Sequence, residues 1–269
     1  MRLDVTTTAM ARPKLVERTY KSFTSNLRGV DWDKSILWIN IDPFPYDTQE
    51  EYKEIEKNVE ELIEMASNYF GKVEANFPEK PNYTNAYAYV WGNAETDVIL
   101  NLEDDWSLNR PIHIRKLMQH FENCNTLYEV VFRAYNYFYP CTCTSPGLLH
   151  KKYYKAVAKK FDAKRNPETQ THSRDDLGIF IPNKKNCDRN QILDYVRVWP
   201  EPYTSGNFYC KKHISVDDIG RRWLDTSPYM RPQMLGKDDP RYLKKDQFTS
   251  WIKRLDWNHD DVIKFIKGC

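Results

Sequence analysis

The chain has 269 residues, enough to bury a substantial core, and we expect one large α/β domain with a short appendage. Its 40 Lys and Arg nearly cancel its 38 Asp and Glu, so the overall charge does not mark it as a nucleic-acid-binding protein. The six cysteines form no Cys-x-x-Cys pair and no Cys/His set at zinc spacing, which argues against a structural zinc site.

The N-terminal sequence predicts no targeting signal. Its first ten residues lack the charged and then apolar pattern of a secretion signal. No run reaches the roughly 18 apolar residues that a membrane span needs. We therefore expect a cytoplasmic protein.

The first hundred residues alternate between predicted strands and helices. The β-branched RLDVTTTA predicts a strand at about residues 2–7, and the apolar spacing after Pro13 predicts a helix. SILWINIDPF predicts a second, buried strand, and residues 49–70 have the pattern of an amphipathic helix. GKVEANF, NYTNAYAYVWGNA and DVILNLE predict a third strand, a third helix and a fourth strand. This alternation indicates a mostly parallel, doubly wound sheet flanked by helices.

The second half of the chain has a looser pattern. It predicts a helix from Pro111 to about Asn123, a strand YEVVFRAYNYFY, a loop PCTCTSPG and a basic helix LLHKKYYKAVAKKF. Polar residues 162–190 predict loops and short elements, and ILDYVRVWP and GNFYCKKHI predict two further strands. The tail segments DQFTSWIKRL and NHDDVIKFIKG predict two short helices, the second of them capped by Asn258.

Three consecutive carboxylates, Glu103, Asp104 and Asp105, follow the fourth predicted strand. Adjacent negative charges raise one another's pKa unless a cation lies among them. Carboxylates without neighbouring His or Cys suit a hard divalent cation that keeps positions open for phosphate oxygens. The run therefore predicts a Mg²⁺ or Mn²⁺ site, and the alternative is a strand end whose acids are solvated or cap the next helix.

This pattern resembles the GT-A fold of nucleotide-sugar-dependent glycosyltransferases and its D-x-D motif, with Glu103-Asp104-Asp105 as a variant of the motif. The resemblance implies a GT-A-like, Rossmann-like sheet, a nucleoside-diphosphate sugar as donor, and Mn²⁺ or Mg²⁺. It implies that Asp105 ligates the metal, with Asp104 as a second candidate ligand. Glu103 or Asp104 would face the ribose or a metal-bound water.

The same resemblance implies a set of donor-binding residues. HISVDDIGRRW is similar to a D-I-G-R-x-W stretch near the ends of some bacterial and viral members, which implies that either His213 or Arg221 and Arg222 close over the diphosphate. His213 is also a candidate metal ligand. The alternatives are a surface position for His213 and a turn before Pro43 for Asp42. The residues implied around the nucleoside and the donor sugar are Thr6, Thr7, Thr8, Arg12, Asp42 and Asn85.

Downstream acids are candidates for a general base that deprotonates an acceptor hydroxyl in an inverting reaction. They are Glu168 in RNPETQ, which we favour, and Asp175 and Asp176 in SRDDLG. Ordinary surface acids or helix caps are the alternative. The lysines of residues 151–165 belong either to a solvated helix face or to a surface that lines an anionic acceptor.

Sequence and resemblance together predict a metal-dependent hexosyl- or pentosyltransferase that acts on a hydroxyl of a glycan or of a modified nucleic-acid base. We expect a catalytic domain at 1–235, with a nucleotide-sugar half at 1–106 and an acceptor half at 107–235, and a helical C-terminal appendage at 236–269. The alternatives are a metal-dependent nucleotidyltransferase or nuclease and a non-catalytic nucleotide-sugar-binding module. The absence of a Gly-rich phosphate loop argues against P-loop enzymes.

Overall fold

The computed structural model describes residues 1–132, 144–171, 175–178, 196–198, 216–244 and 251–269. Several sequence predictions lie wholly or partly outside these residues. They are the strand GNFYCKKHI, which includes His213, most of the strands YEVVFRAYNYFY and ILDYVRVWP, half of the loop PCTCTSPG and half of the helix DQFTSWIKRL. Among the described residues, no helix combines the length and the apolar character that a membrane crossing would require.

The described strands, in chain order, are β1 Asp4–Met10, β2 Leu27–Arg28, β3 Ile36–Asp42, β4 Lys72–Asn76, β5 Val98–Glu103, β6 Trp106–Leu108, β7 Ile112–His113, β8 Glu129–Val131, β9 Gly147–His150, β10 Val196–Val198, β11 Val216–Asp218, β12 Tyr229–Met230 and β13 Ile252–Lys253. The described α-helices are α1 Pro13–Asn26, α2 Gln49–Ala66, α3 Tyr83–Asn93, α4 Ile114–Asn123, α5 Lys151–Ala158, α6 Pro167–Gln170, α7 Arg221–Thr226 and α8 His259–Gly268.

Seven of these strands form the central sheet in the order β10-β8-β9-β5-β1-β3-β4. β5, β1, β3 and β4 run parallel, and β9 runs antiparallel to both of its neighbours. In this register Thr8 lies beside Asn40 on one side and Glu103 on the other, so the carboxyl ends of three strands meet at one edge. The prediction of an α/β fold with a mostly parallel sheet flanked by helices is confirmed.

Strand β5 is apolar on both faces because helices cover both sides of the sheet. Leu100 and Leu102 pack in the cluster that contains α1 and α2, whereas Ile99 packs in the cluster that contains α3 and α5. Successive side chains of a strand point to opposite faces, so a strand buried on both sides has no polar alternation. This double burial explains the mostly apolar run that precedes the acidic residues, in which the buried Asn101 is the one polar side chain.

Two apolar segments fold differently from the sequence prediction. Gly147–His150 is strand β9 and not the first turn of the basic helix, because Leu148 and Leu149 are fully buried in the sheet. Ile252–Lys253 is strand β13, paired with β12, and not part of a helix. The final helix α8 begins as predicted, where the Asn258 side chain accepts a hydrogen bond from the Asp261 backbone N–H at 2.9 Å.

The C-terminal strand and helix are attached to α2 by polar contacts. Lys253 Nζ lies 2.8 Å from Oε2 of the buried Glu51 and 2.6 Å from Asp47 Oδ2. The buried Asn58 donates a hydrogen bond from Nδ2 to the Ile266 carbonyl oxygen at 2.8 Å. Polar groups with little access to water are therefore satisfied across this junction.

Candidate active site

A cavity of about 370 Å³ opens where the carboxyl ends of β1, β3 and β5 meet. The edge beyond such strand ends is where open α/β sheets bind ligands. Polar and aromatic side chains from distant parts of the chain line this cleft. They include Thr8, Arg12, Asp42, Tyr83, Glu103, Asp104, Asp105, Trp106, Asn166, Glu168, Asp218, Arg221, Trp223, Arg231 and Trp251.

Asp104 is engaged by a buried arginine. Arg12 donates from Nε to Asp104 Oδ2 at 2.8 Å and from Nη2 to Asp104 Oδ1 at 2.6 Å. The Met10 backbone N–H donates to the same Oδ2 at 3.0 Å. Burial alone would lower the pKa of Arg12, but the two neighbouring carboxylates raise it, so this guanidinium keeps its charge. Asp104 and Arg12 thus form an internal ion pair. Both oxygens of the Asp104 carboxylate already accept hydrogen bonds, which leaves this group little capacity to contact a ligand.

Asp105 is the acid of the run that faces the cleft with its charge only partly compensated. Its Oδ2 lies 3.2 Å from Arg12 Nη2, and its Oδ1 accepts no hydrogen bond from the described residues. Burial, together with the charges of Asp104 and Asp218, raises the pKa of Asp105 although Arg12 acts in the opposite direction. A second cation beside Asp105 would therefore be electrostatically favourable.

Glu103 is held by two aromatic donors. The Tyr83 hydroxyl donates to Oε1 at 2.7 Å, and the Trp106 indole N–H donates to Oε2 at 2.9 Å. Burial and the charge of Asp105 raise the pKa of Glu103, and the hydrogen bond from Tyr83 opposes this shift. These contacts fix the direction of the carboxyl group on the cleft wall.

The opposite wall of the cleft comes from the segment that contains DIGRRW. Strand β11 pairs antiparallel with β6, and the Ile219 N–H donates to the Asp105 carbonyl oxygen at 2.8 Å. The Trp223 ring lies 4.5 Å from Arg12 Cζ and stacks on Phe44, with ring centroids 5.8 Å apart. The sequence motif is therefore brought against the acidic run by a short two-stranded sheet and an arginine–indole contact.

Arg231 is a cleft residue that the sequence analysis did not identify. Its Cζ lies 5.4 Å from the centre of the Trp251 ring, and it forms no ion pair within 4.0 Å among the described residues. Partial burial would lower the pKa of Arg231, but neighbouring Tyr83, Glu103, Glu168 and Asp105 raise it. A single Arg after a short strand has no distinctive sequence pattern, so only the tertiary structure brings it to the site.

Asp42 and Glu168 also line the cleft, as the sequence analysis expected of a donor-binding residue and a general base. Burial raises the pKa of Asp42 to about 6, although hydrogen bonds from the Asn40 side chain and the Asn82 backbone act the other way. Glu168 follows Asn166, whose Oδ1 caps α6 by accepting its N–H at 3.0 Å. The cap stabilises the start of this short helix, and both Asn166 and Glu168 line the cleft.

Several other candidates do not line the cleft. Thr6 and Thr7 are fully buried within β1, and Thr6 donates its hydroxyl to Asn101 Oδ1 at 3.1 Å. Asn85 is exposed on α3, Asp176 is exposed in a 3₁₀ turn, and Arg222 lies in an adjoining groove. The Asp175 side chain and His213 lie outside the described residues.

The donor set fits a metal that is shared with a phosphorylated ligand. Among the described residues, no three acidic, histidine or cysteine side chains form a metal site from protein ligands alone. Mg²⁺ commonly takes only one or two carboxylates and completes its shell with waters and substrate phosphates. Asp105, with a free Oδ1 and a raised pKa, suits that role, whereas Asp104 is occupied by Arg12.

Comparison with known proteins finds structural similarities at low identity. No protein-family model and no curated protein sequence matches the chain. TarS of S. aureus, also solved with UDP-GlcNAc, is 11% identical with a TM-score of 0.42, over 74% of this chain and 35% of TarS. The chain therefore spans about a third of that protein.

Two further solved structures are similar to this chain over a larger fraction of their own length than TarS is. A mannosyltransferase of Pyrobaculum calidifontis, solved with GDP-Man and Mn²⁺, is 10% identical with a TM-score of 0.44, over 63% of this chain and 50% of that chain. Mouse xyloside xylosyltransferase 1 is 10% identical with a TM-score of 0.40, and the match covers 82% of this chain and 99% of that chain. Because the TM-scores are below 0.5, we draw no functional conclusion from these similarities. The assignment of the fold depends on the strand order and direction of the central sheet.

Proposed function

We propose that this protein is a metal-dependent glycosyltransferase that moves a sugar from a nucleoside-diphosphate sugar to a hydroxyl acceptor in the cleft. The observation that carries the proposal is the state of Asp105. It is a mostly buried carboxylate, 27% exposed, with a raised pKa and one oxygen that accepts no hydrogen bond from the described residues, at the carboxyl edge of a parallel sheet. Such a group gains stability from a divalent cation that also contacts a diphosphate.

Each cleft residue has a role in this proposal. Asp105 holds Mg²⁺ or Mn²⁺, which would supply charge neutralisation for the departing diphosphate. Arg231 and Arg221 donate hydrogen bonds to the diphosphate oxygens, since guanidinium groups match phosphate geometry. Asp42, at the end of β3, binds the nucleoside. Glu168 accepts the proton of the acceptor hydroxyl.

The test is release of nucleoside diphosphate from a panel of nucleotide sugars, with Mn²⁺ and without acceptor. Asp105→Asn should lower the rate by about a hundredfold or more, as expected for loss of a principal electrostatic stabiliser. Asp97→Asn is the matched control, because Asp97 precedes the opposite end of β5 and its side chain is 89% exposed. That variant should keep the wild-type rate.

The products distinguish the alternative functions. Release of pyrophosphate from a nucleoside triphosphate, without release of nucleoside diphosphate from any sugar donor, would identify a nucleotidyltransferase. Binding of nucleotide sugars without turnover would identify a non-catalytic binding module. Equal rates for Asp105→Asn and Asp97→Asn would contradict the proposed role of Asp105.

A further inference from the structure

A second cavity, of about 1100 Å³, adjoins the cleft on the side of α1, α7 and α8. We call it the basic groove, because five exposed cations line it: Lys14, Arg18, Arg221, Arg222 and Lys264. The chain as a whole has a formal net charge of only +2, so this concentration is a local feature. A groove lined by one predominant sign of charge raises the local concentration of oppositely charged ligands.

The acids of the basic groove leave part of this charge uncompensated. Asp218, Asp225 and Asp261 line it, but Asp218 Oδ1 accepts backbone N–H bonds from Gly220 and Arg221. Asp261 Oδ2 accepts a hydrogen bond from the Asn258 side chain at 2.7 Å. Among the described residues, Arg18, Arg222 and Lys264 form no ion pair. Their charges are available to a bound anion.

The lysines of α5, the other basic surface that the sequence suggested, are used differently. Lys151 Nζ donates to the Glu95 carbonyl oxygen at 2.7 Å, and Lys155 Nζ donates to the Gly92 carbonyl oxygen at 2.6 Å. These contacts satisfy carbonyl groups at and just beyond the end of α3, where cations stabilise a helix. A structural role accounts for them without an anionic ligand.

The basic groove is continuous with the cleft, since Arg12, Asp218, Arg221 and Trp223 line both. A molecule bound along it would therefore present one end to the reacting centre. We propose, on the basis of the proposed glycosyl transfer, that the groove binds the acceptor and that this acceptor is an acidic glycan. Arg18, Arg222 and Lys264 bind its carboxylate, sulfate or phosphate groups.

The ring arrangement favours a glycan over single-stranded nucleic acid. Nucleic-acid grooves present successive open aromatic faces on which bases stack. Here Trp223 already stacks on Phe44 and carries the Arg12 guanidinium, and Phe265 packs against Trp223 and Trp257. The described part of the groove thus offers charge without a row of stacking platforms.

The test is direct binding of a fluorescein-labelled heparin oligosaccharide, a model acidic glycan, to the full chain without donor or metal. The variant R18A/R222A/K264A should bind heparin about tenfold more weakly. It loses three exposed charge contacts, each of which contributes a fraction of the roughly 1.4 kcal/mol that a tenfold change in affinity represents. The control K159A/K160A/K164A removes the same number of exposed charges from the segment that follows α5, and should bind within about twofold of wild type. Circular dichroism and melting temperature verify that both variants are folded.

Four outcomes would overturn the proposal: equal loss in both variants, no loss in either, no binding by the wild type, or tighter binding of the oligonucleotide dT20 than of heparin. Competition by uncharged dextran oligosaccharides as strong as that by heparin would do so as well. Because the assay needs neither donor nor metal, it is independent of the proposed catalysis. Heparin binding without donor turnover would refute the proposed glycosyl transfer and support the basic groove as an anion-binding site. Donor turnover without heparin binding would support the transferase and refute the proposed role of the groove.

Discussion

The Asp105 carboxylate lies directly against the α-carbon of Gly220, so that a β-carbon on Gly220 would come within 2.2 Å of Asp105 Oδ2 and 2.5 Å of Asp105 Cβ. No side chain fits in this gap. The single glycine of the DIGRRW stretch is therefore required by its close approach to the acidic run. The two motifs, far apart in the sequence, form one contact in the site.

Gly220→Ala should displace Asp105, because the new methyl group would overlap Oδ2, Cβ and Cγ of Asp105, and rotation of the carboxylate cannot move the Cβ away. We expect a loss of unfolding free energy of about 1–3 kcal/mol, as for an overpacked core position. Release of nucleoside diphosphate should fall with it. Gly236→Ala is the matched control, since its β-carbon would meet nothing within 4 Å. Urea unfolding and a donor-hydrolysis assay measure both effects, and indistinguishable variants would contradict the prediction.

Arg12→Ala should be strongly destabilising. It leaves Asp104, with 7% side-chain exposure, without its cation. Breaking a buried pair by removing one partner costs about 3–5 kcal/mol. Arg18→Ala, in the exposed part of the same helix, should change the unfolding free energy by less than about 0.5 kcal/mol. A double-mutant cycle with Asp104→Ala should show coupling, and additive effects would argue against the pair.

Arg231→Gln should weaken the binding of nucleoside diphosphate in the presence of Mn²⁺ by about tenfold or more, as loss of a hydrogen bond to a charged group would. Arg231→Lys should recover part of the affinity, because it keeps the charge and loses the two-pronged geometry. Titration calorimetry measures both. Arg115→Gln, on exposed α4, removes the same charge away from the cleft and should leave the affinity unchanged. Unaltered affinity in Arg231→Gln would exclude the diphosphate contact.

Asp42 should make stability depend on pH in a definite direction. Its pKa is raised from 3.8 to about 6, so the native state binds more protons than the unfolded chain between about pH 4 and pH 6. The stabilisation is present below about pH 4 and is lost as the pH rises through 6. Relative to Asp42→Asn, wild-type stability should fall by about 2 kcal/mol from pH 4 to pH 7. Parallel urea-unfolding profiles for the two proteins would refute this.

Lys253→Met should loosen the C-terminal attachment to α2. Glu51, with 2% side-chain exposure, would lose its closest cation, and we expect a destabilisation of about 3 kcal/mol. Lys267→Met removes a 51% exposed lysine that lies 3.7 Å from Glu54, and should cost less than about 1 kcal/mol. Chemical unfolding with hydrogen exchange at α8 checks both variants. Equal stabilities would show that the buried contact contributes little.

The sheet was predictable from sequence where one local pattern dominates. β3 and β5 are nearly continuous apolar runs, whereas α1 and α2 follow a clear helical period, and the two strand ends bring Asp42 and Asp105 to one cleft as expected. Strand β9 was missed because Leu148 and Leu149 adjoin a basic helical pattern, and burial between two strands overrides the local helix preference. Strand β13 was missed for a related reason, since its pairing partner β12 is distant in sequence.

The site was predictable only in part, because the sequence does not say which acid an arginine neutralises. Asp104 and Asp105 are the same residue type at adjacent positions. Arg12 nevertheless binds Asp104 through both Nε and Nη2, and Asp105 through Nη2 alone. Arg231 had no signal because its position depends on Trp251 and on the pairing of β12 with β13. Local patterns locate strand ends, whereas charge pairing is decided by contacts across the whole chain.

The antiparallel pairing of β11 with β6 has a consequence for biosynthesis. As the chain leaves the ribosome, Glu103 to Asp105 emerge well before Gly220 and Arg231, the groups that close the cleft around them. Until the later segment arrives, Arg12 is the cation beside Asp104 and Asp105, and the cleft lacks the wall that this segment forms. The cleft that we propose as the donor site should thus be complete only late in translation, when residues 216–231 pack against the acidic run.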